Sequence, residues 1–508
     1  MNDFYRTAAA KLAGLGTVLA VLSFFYFIGK VIYSLYLSPL AKIPGRKLDA
    51  LSRIPYVRCL LSSTTVTDLT QLHERYGDVV RFSPTEVSFI TEEAWQAICG
   101  FRTGPWRGHS NMPKDPAWYP KPANGVPSIL IADDADHTRR RRALAHAFSE
   151  KALAEQMGLV QDYVDQLIDG LRDAAAKSSE PVNLAAWYVW TTFDVISDLL
   201  WGEPFGCLRD RATHKYVRLL FRSVEAFRFA YIKQYFPWVK YLGSLVLDTK
   251  VLADRLEYWR WVGSQTRKRT ERETQRPDFM TYILKHNNGE KGDAPLSAKE
   301  IESDAHVFVT AGSETTATML SATTFMLLKN PAVMQKLIEE VRGLWKSYAD
   351  ITLDEVNKAP YLLAVCSEGL RYFPPVPAGF ERRVPQGGEV VSGVYLPEGT
   401  SVSVSQYPAY HSKSNFRDPN KFAPERWMGD EKYVDDKRAS CQPFSVGPRN
   451  CIGKNLAYAE MRLILAKMIW SFDLELDSRS ATWMDGCYVN TLWVKPELLI
   501  RVKEVVRP

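Results

Sequence analysis

Residues 444–453 read FSVGPRNCIG, and this stretch decides the fold of the 508-residue chain. Its cysteine, Cys451, stands just before LAYAEMRLILAKMIW at 456–470, a run with helical periodicity. A thiol at a helix N-terminus ionises readily, because the helix dipole and the nearby backbone N–H groups stabilise the negative sulfur. The alternative is a buried, inert cysteine, which is the usual role of a single cysteine of this kind.

The residues around Cys451 suit a flat, acidic cofactor. Gly447 and Gly453 permit tight backbone turns and a close approach of the cofactor to the main chain. Arg449 can neutralise a carboxylate through charge-assisted hydrogen bonds. The stretch therefore predicts a loop that offers a thiolate and a cation to one ligand.

Two upstream segments carry a second pattern, EGLR at 368–371 and FAPERW at 422–427. Glu368 and Arg371 are i,i+3 neighbours, so they share one face of a helix. Taken alone, such a pair is most often a solvated surface pair that adds little stability.

Residues 298–329 predict a long buried helix with one acid in its apolar half. From 305 to 328 the only formally charged residue is Glu314, which is followed by the hydroxyl of Thr315. A helix that is apolar on all faces is buried, so this acid indicates a functional role. The alternative is that Glu314 lies on a narrow wet face and that Thr315 bonds its own helix.

Composition indicates one large globular domain. The chain is 46% hydrophobic and 24% charged with a net charge of +6, and it contains no long linker and no internal repeat. No basic cluster with stacking aromatics is visible, so the sequence excludes a nucleic-acid-binding role.

The seven cysteines are scattered without CxxC spacing, which favours a reducing compartment over a disulfide scaffold.

A membrane anchor is predicted at the N-terminus, in residues 1–36, ahead of a catalytic domain at 37–508. The uncharged run 12–29 gives ~27 Å of helix, about one hydrocarbon core, so a transmembrane helix is expected at about 12–30. A cleaved signal peptide is the competing reading, but no A-x-A site follows the run. The excess of Lys and Arg after the run places the large domain in the cytosol.

Apolar periodicity predicts a mainly α fold with a minor β part. Alternating patterns predict strands within 78–90 and 389–407, and Ser297 with Glu300 forms a capping-box pattern. The predicted helices are 136–157, 159–177, 184–201, 250–273, 298–329 and 332–347.

Four motifs together resemble the cytochrome P-450 superfamily. They are F-x-x-G-x-R-x-C-x-G at 444–453, E-x-x-R at 368–371, P-E-R-W at 424–427 and A-G-x-E/D-T-T at 311–316. The resemblance extends over nearly the whole chain. Looser patterns, such as the segment 136–142, are similar to membrane-anchored fungal enzymes of secondary metabolism.

This resemblance implies a haem-thiolate site for haem b. Cys451 would be the metal ligand, and Ala311, Thr315, Phe444, Gly447 and Gly453 would contact the cofactor. Glu314 and Thr315 would guide protons to dioxygen, as the catalytic pair. Glu368, Arg371 and Arg426 would form a buried structural lock.

Basic residues are expected to bind the two haem propionates: His137, Arg141, Arg382 and Arg449. His137 and Arg141 occupy the place of the family's W-x-x-x-R motif, with histidine replacing the tryptophan. Within the run 139–142 we expect Arg141 to point inward and most of its neighbours outward.

The family's substrate-contacting regions map onto side chains that predict a large apolar substrate. The alternative is that about half of them are plain core residues. Residues 229–238 can also lie on a membrane and admit a lipid-dissolved substrate. The candidate substrate residues are Trp106, Phe308, Val309, Val376, Phe380 and Leu492.

The resemblance implies a monooxygenase that uses O2 and oxidises a hydrophobic small molecule, such as a fungal polyketide or terpenoid. No flavin- or nicotinamide-binding segment is visible, so the electrons of NADPH must come through NADPH-cytochrome P-450 reductase, with cytochrome b5 as a second donor. The expected location is the endoplasmic reticulum membrane, with a single pass. Alternatives are a haem-thiolate isomerase, dehydratase or peroxygenase that needs no reductase, and a non-enzymatic haem sensor or electron carrier.

Overall fold

The structure is a computed structural model that describes residues 2–119, 122–225, 227–242, 249–274, 276–287 and 294–506. Helices dominate these residues and the sheets are small, which confirms the predicted mainly α fold with a minor β part. The α-helices are α1 Asn2–Ile32, α2 Lys47–Leu51, α3 Ile54–Leu61, α4 Thr65–Tyr76, α5 Glu92–Cys99, α6 Asp134–Ala145, α7 Glu150–Lys177, α8 Leu184–Trp201, α9 Cys207–Asp210, α10 Lys215–Glu225, α11 Phe227–Tyr235, α12 Thr249–Glu271, α13 Phe279–Asn287, α14 Ala298–Lys329, α15 Pro331–Leu344, α16 Leu353–Val356, α17 Pro360–Tyr372, α18 Gln406–Tyr410 and α19 Lys454–Ser471.

Strands form where the alternating patterns predict them. The largest sheet has the order β1-β2-β7-β4, and its parallel pair β2 and β7 places Val87 opposite Val402, both buried. The strands are β1 Val79–Ser83, β2 Glu86–Phe89, β3 Val182–Asn183, β4 Arg382–Arg383, β5 Glu389–Val391, β6 Val394–Leu396, β7 Ser401–Val404, β8 Phe472–Leu476, β9 Tyr488–Asn490, β10 Leu492–Val494 and β11 Leu499–Glu504.

Helix α14 forms the centre of the core and packs mainly against α8. It begins and ends where the sequence predicts, and the capping box is present. Ser297 Oγ accepts a hydrogen bond from Glu300 N at 3.3 Å, and Glu300 Oε2 accepts one from Ser297 N at 2.7 Å. Its apolar composition is explained by its position, because neighbouring elements cover most of its faces.

The predicted boundary between the first two predicted helices, 136–157 and 159–177, was wrong. The chain breaks at 146–149, between α6 and α7, rather than near 158. Ser149 causes the restart, because its side chain accepts a hydrogen bond from Ala152 N and caps α7. Apolar periodicity continues across the break, so the periodicity alone did not reveal it.

Helix α1 stands apart from the core. The segment Gly14–Leu37 is long and apolar enough to cross a membrane, and its most apolar stretch is not buried against the rest of the described chain. In soluble proteins an apolar helix of this length is normally buried. The exposed helix is therefore a candidate membrane anchor.

Candidate active site

A cavity lies between α14 and the loop that precedes α19. Helix α14 contributes Ala311, Gly312 and Thr315 to its wall, and the loop contributes Cys451. Ala311 and Cys451 are accessible because they border this cavity, although both lie inside the protein and the helix around Ala311 is largely buried. The two motifs that lie far apart in the sequence thus meet at one cavity.

The loop holds Cys451 by its backbone. The N–H of Cys451 donates to Phe444 O at 2.9 Å, so residues 444–451 form a closed turn. Burial raises the pKa of the Cys451 thiol, while a backbone N–H of Gly453 and the cations of Arg141 and Lys454 act in the opposite direction. Coordination to a metal ion deprotonates such a thiol outright.

The two glycines of the loop have different roles. Gly447 has a φ of +76°, and a Cβ there would lie 2.0 Å from the carbonyl oxygen of Cys99, so it permits the loop to pack against the end of α5. Gly453 lines the cavity, and the atom nearest to its Cβ position is 4.0 Å away. Phe444 lines the cavity too and packs against Tyr458.

One part of the cavity wall is basic. Lys114, His137, Arg382 and Arg449 all line it. Nε of Arg382 and Nη1 of Arg449 are buried and have no hydrogen-bond partner among the residues that the structure describes. Buried donors without partners are costly, so this wall suits an anionic ligand. A flat apolar ring that carries carboxylates fits the donors, the apolar walls and the exposed thiol together.

The remaining interactions of these basic residues limit how each can bind. Arg449 already pairs with Asp134 at 2.7 Å, and Arg141 donates to Asn450 O at 2.6 Å and to Asn450 Oδ1 at 2.7 Å. Burial lowers the pKa of His137 to about 4, so at neutral pH its imidazole is uncharged and can offer only a hydrogen bond.

The expectation for the arginine run 139–142 needs a correction. Arg142 is exposed, as expected for most neighbours of Arg141, but Arg140 is almost fully buried. Arg140 Nη2 lies 2.8 Å from Asp136 Oδ2 and 3.1 Å from Glu300 Oε1, and these carboxylates compensate its charge. The acids of two helices therefore draw this arginine inward.

Glu368, Arg371 and Arg426 form a fully buried ionic network. Arg371 Nη2 donates to Glu368 Oε1 at 2.7 Å, Arg426 Nε lies 3.3 Å from the same oxygen, and all three side chains have 0% exposure. The indole N–H of Trp427 and the backbone N–H of Ala423 complete the coordination of Glu368. This network is a buried lock rather than the solvated surface pair.

The neighbouring residues Glu314 and Thr315 of α14 point in different directions. Thr315 lines the cavity, and its hydroxyl donates to Ala311 O at 2.7 Å, as the helix-bonding alternative requires. Glu314 is buried outside the cavity wall and forms an ion pair with Lys495. The carboxylate also accepts a hydrogen bond from Thr318 at 3.2 Å.

The structure divides the six candidate substrate residues. Phe308, Val376 and Phe380 line the cavity. Val309 is fully buried in the core, and Leu492 packs against the same core cluster. Trp106 packs against a separate cluster near β2. These last three are not among the lining residues in the described ranges, as the plain-core alternative anticipates.

Three residues of this region were missed by the sequence reasoning. Lys114 has its ammonium group 4.6 Å from the ring centre of Phe380, and burial lowers its pKa well below the usual value. Glu460 lines the cavity from α19. Lys495 lies beyond β10, and its distance in sequence from Glu314 left no signal that could have paired them.

A cysteine that borders a cavity with a basic wall, beside a buried Glu-Arg-Arg lock, fits a haem-thiolate protein. Residues 51–500 match the cytochrome P450 family model, and the chain belongs to this family and is a monooxygenase. It is 54% identical to cytochrome P450 monooxygenase traB of Penicillium crustosum, over 100% of both chains. It is 42% identical to cytochrome P450 monooxygenase lcsI of Purpureocillium lilacinum, over 96% of this chain and 93% of the relative. Averantin hydroxylase of Dothistroma septosporum is 40% identical, over 97% of this chain and 91% of the relative.

The family implies a haem-thiolate cofactor, and the residues at the cavity fit it. Enzymes of this family need O2 and a redox partner, and they act on small molecules. The fit rests on the exposed thiol of Cys451 and on the partnerless donors of Arg382 and Arg449.

Proposed function

We propose that this chain oxidises a hydrophobic small molecule with O2 at a haem b group held by Cys451. The observation that carries the proposal is that the Cys451 thiol and the hydroxyl of Thr315 face one cavity. Haem ligated by a thiolate supplies dioxygen activation, because the thiolate favours O–O cleavage. Arg382 and Arg449 would neutralise the propionates, and Thr315 would offer a hydroxyl for proton transfer.

The proposed substrate is a secondary metabolite of the polyketide or terpenoid type. The cavity wall includes the apolar side chains of Ile129, Phe308, Val376 and Phe380. Such a wall favours a substrate with few charges. The similarity to fungal monooxygenases, one of which is named for hydroxylating averantin, supports this class.

Electrons are proposed to come from NADPH through NADPH-cytochrome P-450 reductase, with cytochrome b5 as a second donor. The sequence contains no strand-linked G-x-G-x-x-G that would bind the nucleotide in this chain. The exposed side chain of Lys454 lies near Cys451 and offers positive charge to an acidic partner.

Residues 1–36 are proposed to anchor the chain in the endoplasmic reticulum membrane, with the catalytic domain 37–508 in the cytosol. The support is the exposed apolar segment Gly14–Leu37 and the basic residues that follow it. The exposed side chain of Trp238 suits a second contact with the interface.

The test is the reduced carbon-monoxide difference spectrum of the full chain in membranes. We expect a band near ~450 nm, as thiolate ligation gives, and NADPH-dependent product once reductase is added. Cys451→Ser should abolish the band, because a hydroxyl does not replace the thiolate. Cys99→Ser is the matched control, since Cys99 lines the same cavity, and it should retain the band. A persistent ~450 nm band in Cys451→Ser, or its loss only in Cys99→Ser, would contradict the ligand assignment.

A further inference from the structure

A cavity of ≈ 210 Å³ lies where the apolar segment Gly14–Leu37 meets the catalytic domain, far in sequence from the thiolate site. Its wall combines the end of that segment, residues of the stretch 38–47, here called the hinge, and the side chain of Arg81 from β1. Among the described lining residues four are basic and none is acidic: Lys42, Arg46, Lys47 and Arg81. We propose that this cavity binds the phosphate of an acidic phospholipid headgroup, with Arg81 as its main cation.

Arg81 is a buried cation that only carbonyl groups hold, and it is 4% exposed. Its Nη1 donates to Ser34 O at 2.9 Å and its Nη2 donates to Pro84 O at 2.8 Å. Its Nε is buried and has no hydrogen-bond partner among the residues that the structure describes. Burial lowers the pKa of the guanidinium, and no carboxylate of the described residues opposes that effect. Because a buried charge without a counter-ion is costly, this side chain favours an anionic ligand.

The other basic residues of the wall differ in how much charge they offer. Arg46 is already compensated, because its Nε lies 2.7 Å from Asp49 Oδ2 and its Nη1 lies 2.6 Å from Asp68 Oδ1. Lys42 and Lys47 line the same cavity and are exposed, so their flexible ammonium groups can close on a ligand. The positive charge available to an anion thus comes from one buried arginine and two mobile lysines.

The place of the cavity favours a membrane lipid as the source of the phosphate, and this step rests on the proposed anchor in residues 1–36. Tyr33 and Tyr36, at the end of the apolar segment, are 54% and 70% exposed, and Tyr36 lines the cavity. Exposed tyrosines at the end of a spanning helix lie at the level of the lipid headgroups. Basic groups that follow such a helix directly attract acidic lipids. The cavity would therefore open at the depth where lipid phosphates lie.

The backbone around Arg81 is fixed by the protein itself. Arg81 N donates to Pro44 O at 2.8 Å, and Ile43 N donates to Leu40 O at 3.1 Å. A Cβ at Gly45 would lie 2.2 Å from Arg81 O, so the hinge can pass this close to β1 only with a glycine. A site that is already ordered loses little conformational freedom when a ligand binds. A bound headgroup would contact the hinge and β1 together, and it should slow their local opening.

The test is backbone hydrogen exchange of the full chain in phosphatidylcholine vesicles, with and without phosphatidic acid. We expect phosphatidic acid to slow exchange in the hinge and in β1 several-fold, because a ligand of the native state opposes local opening. Arg81→Gln should lose this protection, whereas a general effect of surface charge would slow exchange equally in the parent and in the variant. Arg58→Gln is the matched control, since it removes the same charge from an exposed side chain of α3 that is not among the described lining residues.

A second variant decides the matter if Arg81→Gln does not fold, since Arg81 also holds the carbonyl groups of Ser34 and Pro84. Lys42→Gln combined with Lys47→Gln changes only exposed side chains, so the chain should keep its haem, while the protection by phosphatidic acid should fall several-fold.

Three results would overturn the proposal. They are unchanged exchange of the parent when phosphatidic acid is added, protection that persists in a folded Arg81→Gln or in the variant with both lysine changes, and equal protection by inorganic phosphate beside phosphatidylcholine vesicles. A parent chain that does not float with either kind of vesicle would instead contradict the proposed membrane anchor.

Discussion

Two buried glutamates of this enzyme have opposite surroundings. Glu368 accepts hydrogen bonds on both oxygens, from Arg371, from Arg426, from an indole and from a backbone N–H. Among the residues that the structure describes, Glu314 uses only Oε1, with Lys495 and Thr318. A carboxylate whose acceptors are all used is fixed in place, whereas one with a free acceptor can change partners. The difference separates a structural acid from one that is suited to proton transfer.

Glu368→Gln should have the largest effect. The substitution preserves shape but leaves two fully buried guanidinium groups with one carboxylate fewer, and breaking a buried pair typically costs about 3–5 kcal/mol. We expect little or no folded, haem-containing protein, measured as the ~450 nm absorbance per amount of chain.

The control for Glu368→Gln is Glu425→Gln, in the same region. Glu425 is only partly buried and pairs with Lys336, so its loss should leave haem content close to that of the parent. Normal haem content in Glu368→Gln would mean that the saturated network is not the lock that its coordination indicates.

The part of the site that was predictable from sequence is the part built from short motifs. The motif around Cys451 and the pair of Glu368 and Arg371 involve residues close in sequence, so spacing alone brings them together. Arg426 was assigned through the resemblance, and the structure places it on Glu368. The length of α14 followed from its apolar run and its caps.

The contacts that could not be predicted join residues distant in sequence without a repeating pattern. Lys495 reaches Glu314 because β10 and the following segment pack beside α14, and no periodicity of either segment contains that fact. The burial of Arg140 depends likewise on Glu300 from another helix. Whether Val309 faces the cavity or the core depends on the rotation of α14, which its nearly uniform apolarity leaves undetermined.

Glu314→Gln should have an intermediate effect. The amide retains the shape but cannot carry the proton, so product per NADPH should fall several-fold while the ~450 nm band persists. A Glu→Gln substitution is thus expected to prevent folding when it is made at Glu368, but to lower only the product formed per NADPH when it is made at Glu314. Glu302→Gln, in the same helix but outside the cavity wall, is the control that should keep parental coupling. Loss of haem in Glu314→Gln would show that the two glutamates have the same structural role.

A third buried glutamate extends the comparison. Glu460 lies in α19 with 2% exposure, and no cation pairs with it among the described residues. Burial raises its pKa to about 8, and the hydroxyl of Thr316 offsets this only in part. Its surroundings therefore favour the neutral acid, whereas Glu368 and Glu314 each lie beside a cation.

Glu460→Gln should have the smallest effect, visible only in the pH dependence of stability. Between the ordinary pKa of 4.5 and about 8, the native state keeps a proton that the unfolded chain has lost, so stability falls as the pH rises through this window. Each unit of the shift corresponds to ~1.4 kcal/mol. Glutamine has no proton to lose, so the Tm of the variant relative to the parent should rise by a few degrees from pH 5 to pH 8. The exposed Glu475→Gln should show no such trend, and parallel Tm profiles of parent and Glu460→Gln would mean that the Glu460 carboxyl is ionised in the native enzyme.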